Sequence, residues 1–130
     1  MTLYDSSVLI DYLGGVKRAV EYVEEHSGER AVAPPLVLFE VYQGEVFKSG
    51  PADLAAVDAA LRWLTPVETT AEHARAGARL QVELGRRGEP LAARDALIAG
   101  TAMALGESLV VADSDFDVSA LTDAIDVEFL

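Results

Sequence analysis

The chain has 130 residues, 51% of them hydrophobic, and carries a formal net charge of −12, with 22 acidic residues against 10 basic ones. That length predicts a single domain over residues 1–130 with enough apolar side chains for a proper core. The absence of cysteine excludes a disulfide framework, a cysteine-based zinc site and a thiol nucleophile. Along the chain, TLYD (2–5) predicts a short buried strand that stops at a carboxylate. SSVLIDYL (6–13) predicts a first helix, ended by Gly14 and Gly15. VKRAVEYVEEH puts Val16, Val20 and Val23 at helical spacing, and RAVAP is a second strand closed by Pro34 and Pro35. LVLFEVYQGEVFK is a helix whose start is favoured by proline. ADLAAVDAALRWL is another, with Leu54, Val57, Leu61 and Leu64 on one stripe, and PVET is a brief strand. AEHARAGARLQVELGRR and AARDALIAGTAMAL are two further helices, the second closed by Gly106. SLVVAD is the clearest strand, and IDVEFL is the last. Helices alternating with short, nearly all-apolar strands predict an α/β fold: a central parallel sheet covered on both faces.

The acidic balance in an apolar-rich chain predicts a folded domain with an acidic skin rather than a disordered segment. Such a surface is suited to a salt-rich cytoplasm, where self-repulsion is screened over a short distance. It gives no bulk electrostatic steering toward nucleic acid, so any polyanion must be met by local arginines or by metal ions. No basic, apolar leader opens the chain and no apolar run reaches about 18 residues, so the expected location is the cytoplasm, with no membrane contact. His26 and His73 stand alone, without a metal-ligand companion at helical spacing.

Most carboxylates fall on polar stripes or helix exits: Glu21, Glu24, Glu25, Glu29, Asp53, Asp58, Glu72 and Glu83 read as solvated surface. Four do not. Asp5 and Asp113 end strands, and the carboxyl ends of parallel strands are where sites form in α/β sheets. Glu40 is the only charge in LVLFEVY, with Val37 and Leu36 as its helical neighbours. Asp95 opens DALIAGTAMAL on the face shared with Ile98 and Ala99. A lone carboxylate on an apolar face costs several kcal/mol to bury unless it is paired or bound to metal. Structural readings stand beside the functional one: Asp5 as a helix cap, Asp95 as an acid in a first helical turn. Taken together, the four can form a cage for a hard divalent cation, which needs few oxygen ligands and keeps its own waters. One or two such ions suffice for phosphodiester cleavage without lysine, histidine or cysteine.

The order and spacing of LYDSSVLIDYL, LVLFEVYQG, AARDALIAGTA and LVVADSDFD resemble the PIN-domain proteins, in particular the VapC-type toxin ribonucleases of type II toxin–antitoxin pairs. The resemblance spans nearly the whole chain. It implies a three-layer α/β/α sandwich (PIN-like) and a Mg²⁺-dependent endoribonuclease, Mn²⁺ being a possible substitute, that hydrolyses structured RNA. By position, Asp5, Glu40, Asp95 and Asp113 match the catalytic acids, with Asp5, Asp95 and Asp113 as metal ligands. Ser6 stands beside the first aspartate as an assisting hydroxyl, and Asp115 lies close enough to assist Asp113. Val111 stands where the family often carries a threonine. The resemblance also implies a VapB-like antitoxin that presents a basic side chain to the site, and a homodimer. The small-residue stripe of ALIAGTAMAL fits either that dimer contact or core packing. Arg86, Arg87 and Arg94 form the best local basic group for RNA contact, beside the alternative of cations at a helix C-terminus. The RNA can be transfer, ribosomal or messenger RNA. Rival classes fit less well: an aspartate-nucleophile phosphatase wants a second acid where Ser7 stands, a receiver domain wants a late lysine where none follows Lys48, and no Gly-rich phosphate loop is present. A non-catalytic PIN-like RNA-binding or regulatory module remains the alternative.

Overall fold

The computed structural model describes residues 1–130. Five short strands, β1 (Thr2–Tyr4), β2 (Ala31–Ala33), β3 (Thr65–Pro66), β4 (Ser108–Val111) and β5 (Val127–Phe129), form one sheet in the order β3-β2-β1-β4-β5. Every pairing is parallel; Leu3 aligns with Val32 on one side and with Leu109 on the other. Consecutive residues point to opposite faces of a strand. Leu3 and Tyr4, and then Leu109, Val110 and Val111, are all essentially inaccessible, so helices cover both faces. The expected α/β/α arrangement with a central parallel sheet is the one observed.

Seven helices flank the sheet: α1 (Ser6–Leu13), α2 (Lys17–Glu25), α3 (Pro35–Phe47), α4 (Leu54–Ala60), α5 (Ala71–Arg86), α6 (Ala93–Leu105) and α7 (Ser119–Ala124). Their ends follow local chemistry. Proline occupies the first position of α3, where its missing N–H costs nothing. At α5 the Thr70 hydroxyl accepts from the His73 N–H, while His73 Nδ1 accepts from the Thr70 N–H, so this buried histidine serves as a cap. Gly106 ends α6 with a left-handed backbone (φ 67°) that an L side chain rarely adopts.

Three sequence expectations need correction. On α2 only Val16 of the three valines is exposed, at the helix entry; Val23 packs against the core, but the buried residues are Ala19 and Tyr22, and Tyr22 packs edge-on to Tyr4 and donates to Glu128. Helix α4 stops at Ala60 and leaves Leu54 exposed, because the chain turns there to lay Trp63 against Tyr4 and Tyr12. Helix α7, which buries Leu121 completely, has no counterpart among the predicted elements.

The small residues of α6 have a definite use. A Cβ built on Gly100 would lie 2.3 Å from the amide nitrogen of Gly77 and 2.4 Å from its Cα. The stripe therefore lets α6 lie directly on α5, which is core packing within the chain.

Candidate active site

Chain topology brings the four singled-out acids to one end of the sheet. Asp5 follows β1 directly and Asp113 follows β4 by two residues, both at the carboxyl ends of the strands. Helix α6 runs into the start of β4, so its own first turn, with Asp95, lies at that same end. Glu40 projects from the first half of α3, the helix that leaves β2.

Asp5 caps a helix, which is one of the readings its position allows. Its Oδ2 accepts from the Ser7 backbone N–H (3.2 Å) and hydroxyl (2.6 Å), capping α1, while Oδ1 accepts from Arg94 Nη2 at 3.2 Å. The residue is 1% exposed. Ser7, whose part in the site the sequence did not show, ties the site together: its hydroxyl donates to Asp5 and accepts from the Ala112 N–H at 2.9 Å, 105 residues away in the chain. Ser6 donates its hydroxyl to Glu40 Oε1 at 3.1 Å.

At the centre stands Arg94, whose partly exposed side chain turns in among the acids. Its Nε donates to Glu40 Oε2 (2.5 Å) and its Nη2 to Glu40 Oε1, giving a two-pronged pair. Nη2 also donates to Asp5 Oδ1 (3.2 Å) and to the Ser6 hydroxyl (2.9 Å), and Nη1 donates to Asp95 Oδ1. A planar guanidinium is suited to this role, since its fixed fork can serve several carboxylates at once. Burial works against the charge of Arg94, but the Glu40 bonds and the Asp5 and Asp95 carboxylates outweigh it and hold the group protonated. Burial raises the Asp95 carboxyl above the ordinary aspartate range; Arg94 opposes that shift, and the Asp5 and Asp113 charges add to it.

Asp113 stands at the rim, where its Oδ1 accepts from the Asp115 N–H at 2.9 Å and its charge acts on Asp95. Asp115 is exposed and meets Asp113 through its backbone. Arg86 and Arg87 lie at the end of α5, paired with Glu83 (2.6 Å) and Asp123 (2.8 Å) in exposed ion pairs, and neither bonds to the acidic cluster. Such exposed pairs contribute little and exchange partners readily.

The donor set suits a hard divalent cation: carboxylate oxygens from three elements, a hydroxyl beside them and a fourth acid at the rim. Three of these acids already gather around one positive group, the Arg94 guanidinium. No three acidic or histidine side chains converge on one point in the manner of a formed metal site, because Glu40, Asp5 and Asp95 each aim at the guanidinium.

A family model for the PIN domain matches residues 2–120. The chain belongs to the PIN-domain family. Solved structures agree in fold. FitAcB from Neisseria gonorrhoeae superposes with a TM-score of 0.83 at 18% identity, covering 100% of this chain and 97% of that one. VapBC2 from Rickettsia felis, bound to a DNA fragment from its promoter, gives 0.81 at 17% identity over 98% and 97% of the two chains. VapBC-5 from Mycobacterium tuberculosis, a member of the VapBC family of toxin–antitoxin systems, gives 0.69 at 23% identity over 99% and 96%. Among curated protein sequences nothing matches. PIN domains are in general nucleases that use divalent metals; no helix of this one is long and apolar enough to cross a membrane.

Proposed function

We propose that this PIN domain is a VapC-type toxin: an endoribonuclease dependent on Mg²⁺, or Mn²⁺ in its place, that hydrolyses phosphodiester bonds in structured RNA. The observation that carries the reading is the gathering of Asp5, Glu40 and Asp95, from three separate elements, around one cation at the carboxyl end of a parallel sheet, with Asp113 at its rim. Asp5, Asp95 and Asp113 are the residues that would hold the metal. A divalent ion there supplies Lewis-acid activation of water and neutralises charge on the phosphate. The protein's own contributions are positional. Ser7 fixes the Asp5 carboxylate, Ser6 orients Glu40, and Glu40 is the acid placed to accept a proton from an attacking water. In-line hydrolysis of this kind leaves a 5′-phosphate and a 3′-hydroxyl.

The solved relatives named above include VapBC toxin–antitoxin complexes, which supports a VapB-like antitoxin as partner. Ile10, Leu13, Val46 and Phe47 on α1 and α3 are exposed apolar residues that such a partner, or a second copy in a homodimer, would cover. So negative a site favours an antitoxin that presents an arginine or lysine. A cytoplasmic location follows from this reading.

One observation favours a second reading: with Arg94 occupying three of the acids, the domain would serve as a non-catalytic RNA-binding or regulatory module. Mapping RNA 5′-ends in cells expressing the wild type or Asp95→Asn separates the two. New 5′-phosphate ends with the wild type alone establish a ribonuclease and reveal whether transfer, ribosomal or messenger RNA is cut. Identical ends from both, with each protein folded and free of antitoxin, would replace the enzyme reading with the binding one.

A further inference from the structure

The position of Arg94 is unusual for a surface arginine. It lies in the first turn of α6, where the free N–H groups of the helix disfavour a cation. Its side chain nevertheless turns inward and engages four polar side chains, among them two nearly inaccessible carboxylates, Asp5 and Asp95. The oxygens it takes are Asp5 Oδ1, Asp95 Oδ1 and both oxygens of Glu40. Asp5 and Asp95 are also carboxylates that a divalent ion at this site would need, and an ion held by them at about 2.0–2.1 Å would stand within a few ångströms of the guanidinium, where the two positive charges repel. The two cations therefore compete for the same two carboxylates. Arg94 also has a way out, since its side chain is 29% exposed, against 1% for Asp5 and 8% for Asp95.

We infer that Arg94 is a resident cation latch: its guanidinium holds the acid cluster together until a divalent ion displaces it, and ion entry swings the side chain to the mouth of the site. In the absence of the ion the guanidinium offsets part of the cluster's negative charge. The latch deepens the ribonuclease reading and shares its metal site, but the competition between cations is measured without any cleavage.

The experiment titrates Mn²⁺ into the full chain and into Arg94→Gln, with free ion followed by electron paramagnetic resonance. Removing a positive charge in contact with the ion's own ligands is expected to tighten Mn²⁺ binding by about tenfold or more. The same substitution should lower the melting temperature without metal, a loss that saturating Mn²⁺ restores. Equal or weaker Mn²⁺ affinity in a folded Arg94→Gln protein would overturn the latch. Should that variant fail to fold, the wild type decides by nitrogen-15 NMR. The Arg94 Nε–H signal, protected while bonded to Glu40, is expected to shift and exchange rapidly with water at saturating Mg²⁺; an unchanged signal overturns the proposal. Absence of Mn²⁺ binding in both proteins defeats the latch and the metal-nuclease reading together. Tighter binding in Arg94→Gln with no RNA cleaved by the wild type leaves the latch standing and removes the ribonuclease.

Discussion

The contact between α5 and α6 should make one substitution act in opposite directions at two glycines. Replacing Gly100 by alanine puts a Cβ 2.3 Å from the Gly77 nitrogen, about 0.7 Å inside the closest approach that real Cβ atoms make. The obstacle is backbone, so no side chain can rotate away and the two helices must separate. Overpacking of this kind costs about 1–3 kcal/mol, and a rigid backbone neighbour places this case at the upper end. Alanine returns about 1 kcal/mol through better helix propensity. The expected net loss is about 2 kcal/mol, or about 6–10 °C in melting temperature for a domain of this size. At Gly44, in the exposed middle of α3, a Cβ would meet nothing within 4 Å. There the same change should stabilise by about 0.5–1 kcal/mol. Urea unfolding of both variants, followed by circular dichroism, gives the two signs directly. A Gly100→Ala protein as stable as the wild type would refute the close crossing, and with it the placement of the α6 first turn that carries Arg94 and Asp95.

Four other outcomes follow from the site and its surroundings. Ser7→Ala removes a charge-assisted bond to Asp5 and strands the Ala112 N–H, so we expect a loss of about 2–4 kcal/mol by urea unfolding; a change within experimental error would deny Ser7 its linking role. Because burial raises the Asp95 carboxyl, the folded protein binds that proton more readily than the unfolded chain. Its contribution to stability is present in acid and lost as pH rises through the folded-state value. In chelator, Asp95→Asn should therefore gain stability over the wild type as pH rises from about 4 toward neutrality, while losing RNA cleavage; a flat difference in unfolding free energy across that range contradicts the assignment. Burial and the bond to Glu128 push Tyr22 up to about 12, burial raises Tyr4, and Asp58 raises Tyr42. Phenol absorbance at 295 nm should consequently rise late, and stability should be lost as pH climbs from about 10, the unfolded value, toward 12; a complete titration near 10 in folded protein would refute the burial. Finally, the charge of −12 predicts that added KCl raises the melting temperature by screening self-repulsion, and a melting temperature unaffected by salt would count against a high-salt adaptation.

The parts of the fold that could be read from sequence are those where one local pattern decides the outcome. Strands β1, β2 and β4 are near-continuous apolar runs because both faces are covered, and α6 is bounded by Gly106 with its left-handed backbone. The missed parts depend on distant partners. Helix α7 has six residues and no periodic stripe; it forms because Leu121 fills the core and because Glu89 receives the Ser119 hydroxyl and the Ala120 N–H across 30 and 31 residues. Tyr22 is buried more deeply than the α2 valines because Tyr4 and Glu128 await it, and neither is adjacent in sequence. Glu107 shows the same limit: it reads as an ordinary helix exit, yet it is buried with one oxygen on the Nε of Arg30, 77 residues away.

The site divides along the same line. Glu40 announced itself because a charge amid Val37 and Leu36 has no local excuse, and that argument holds whichever partner satisfies it. Arg94 offered a signal of the same kind, and it was hidden by its neighbour. A cation in a first helical turn opposes the helix dipole, as a buried acid opposes desolvation. Next to Asp95 the arginine reads as half of an adjacent ion pair, which absorbs the anomaly without calling for other acids. What distinguishes the cases is count: one carboxylate can neutralise one guanidinium, but Arg94 holds three. With Asp113 included, four carboxylates share a single positive charge, so the cluster stays strongly negative even with the latch closed. On the latch proposal, that residual charge favours a divalent ion over the guanidinium, and the electrostatics that hold Arg94 in place would drive it outward as the ion enters.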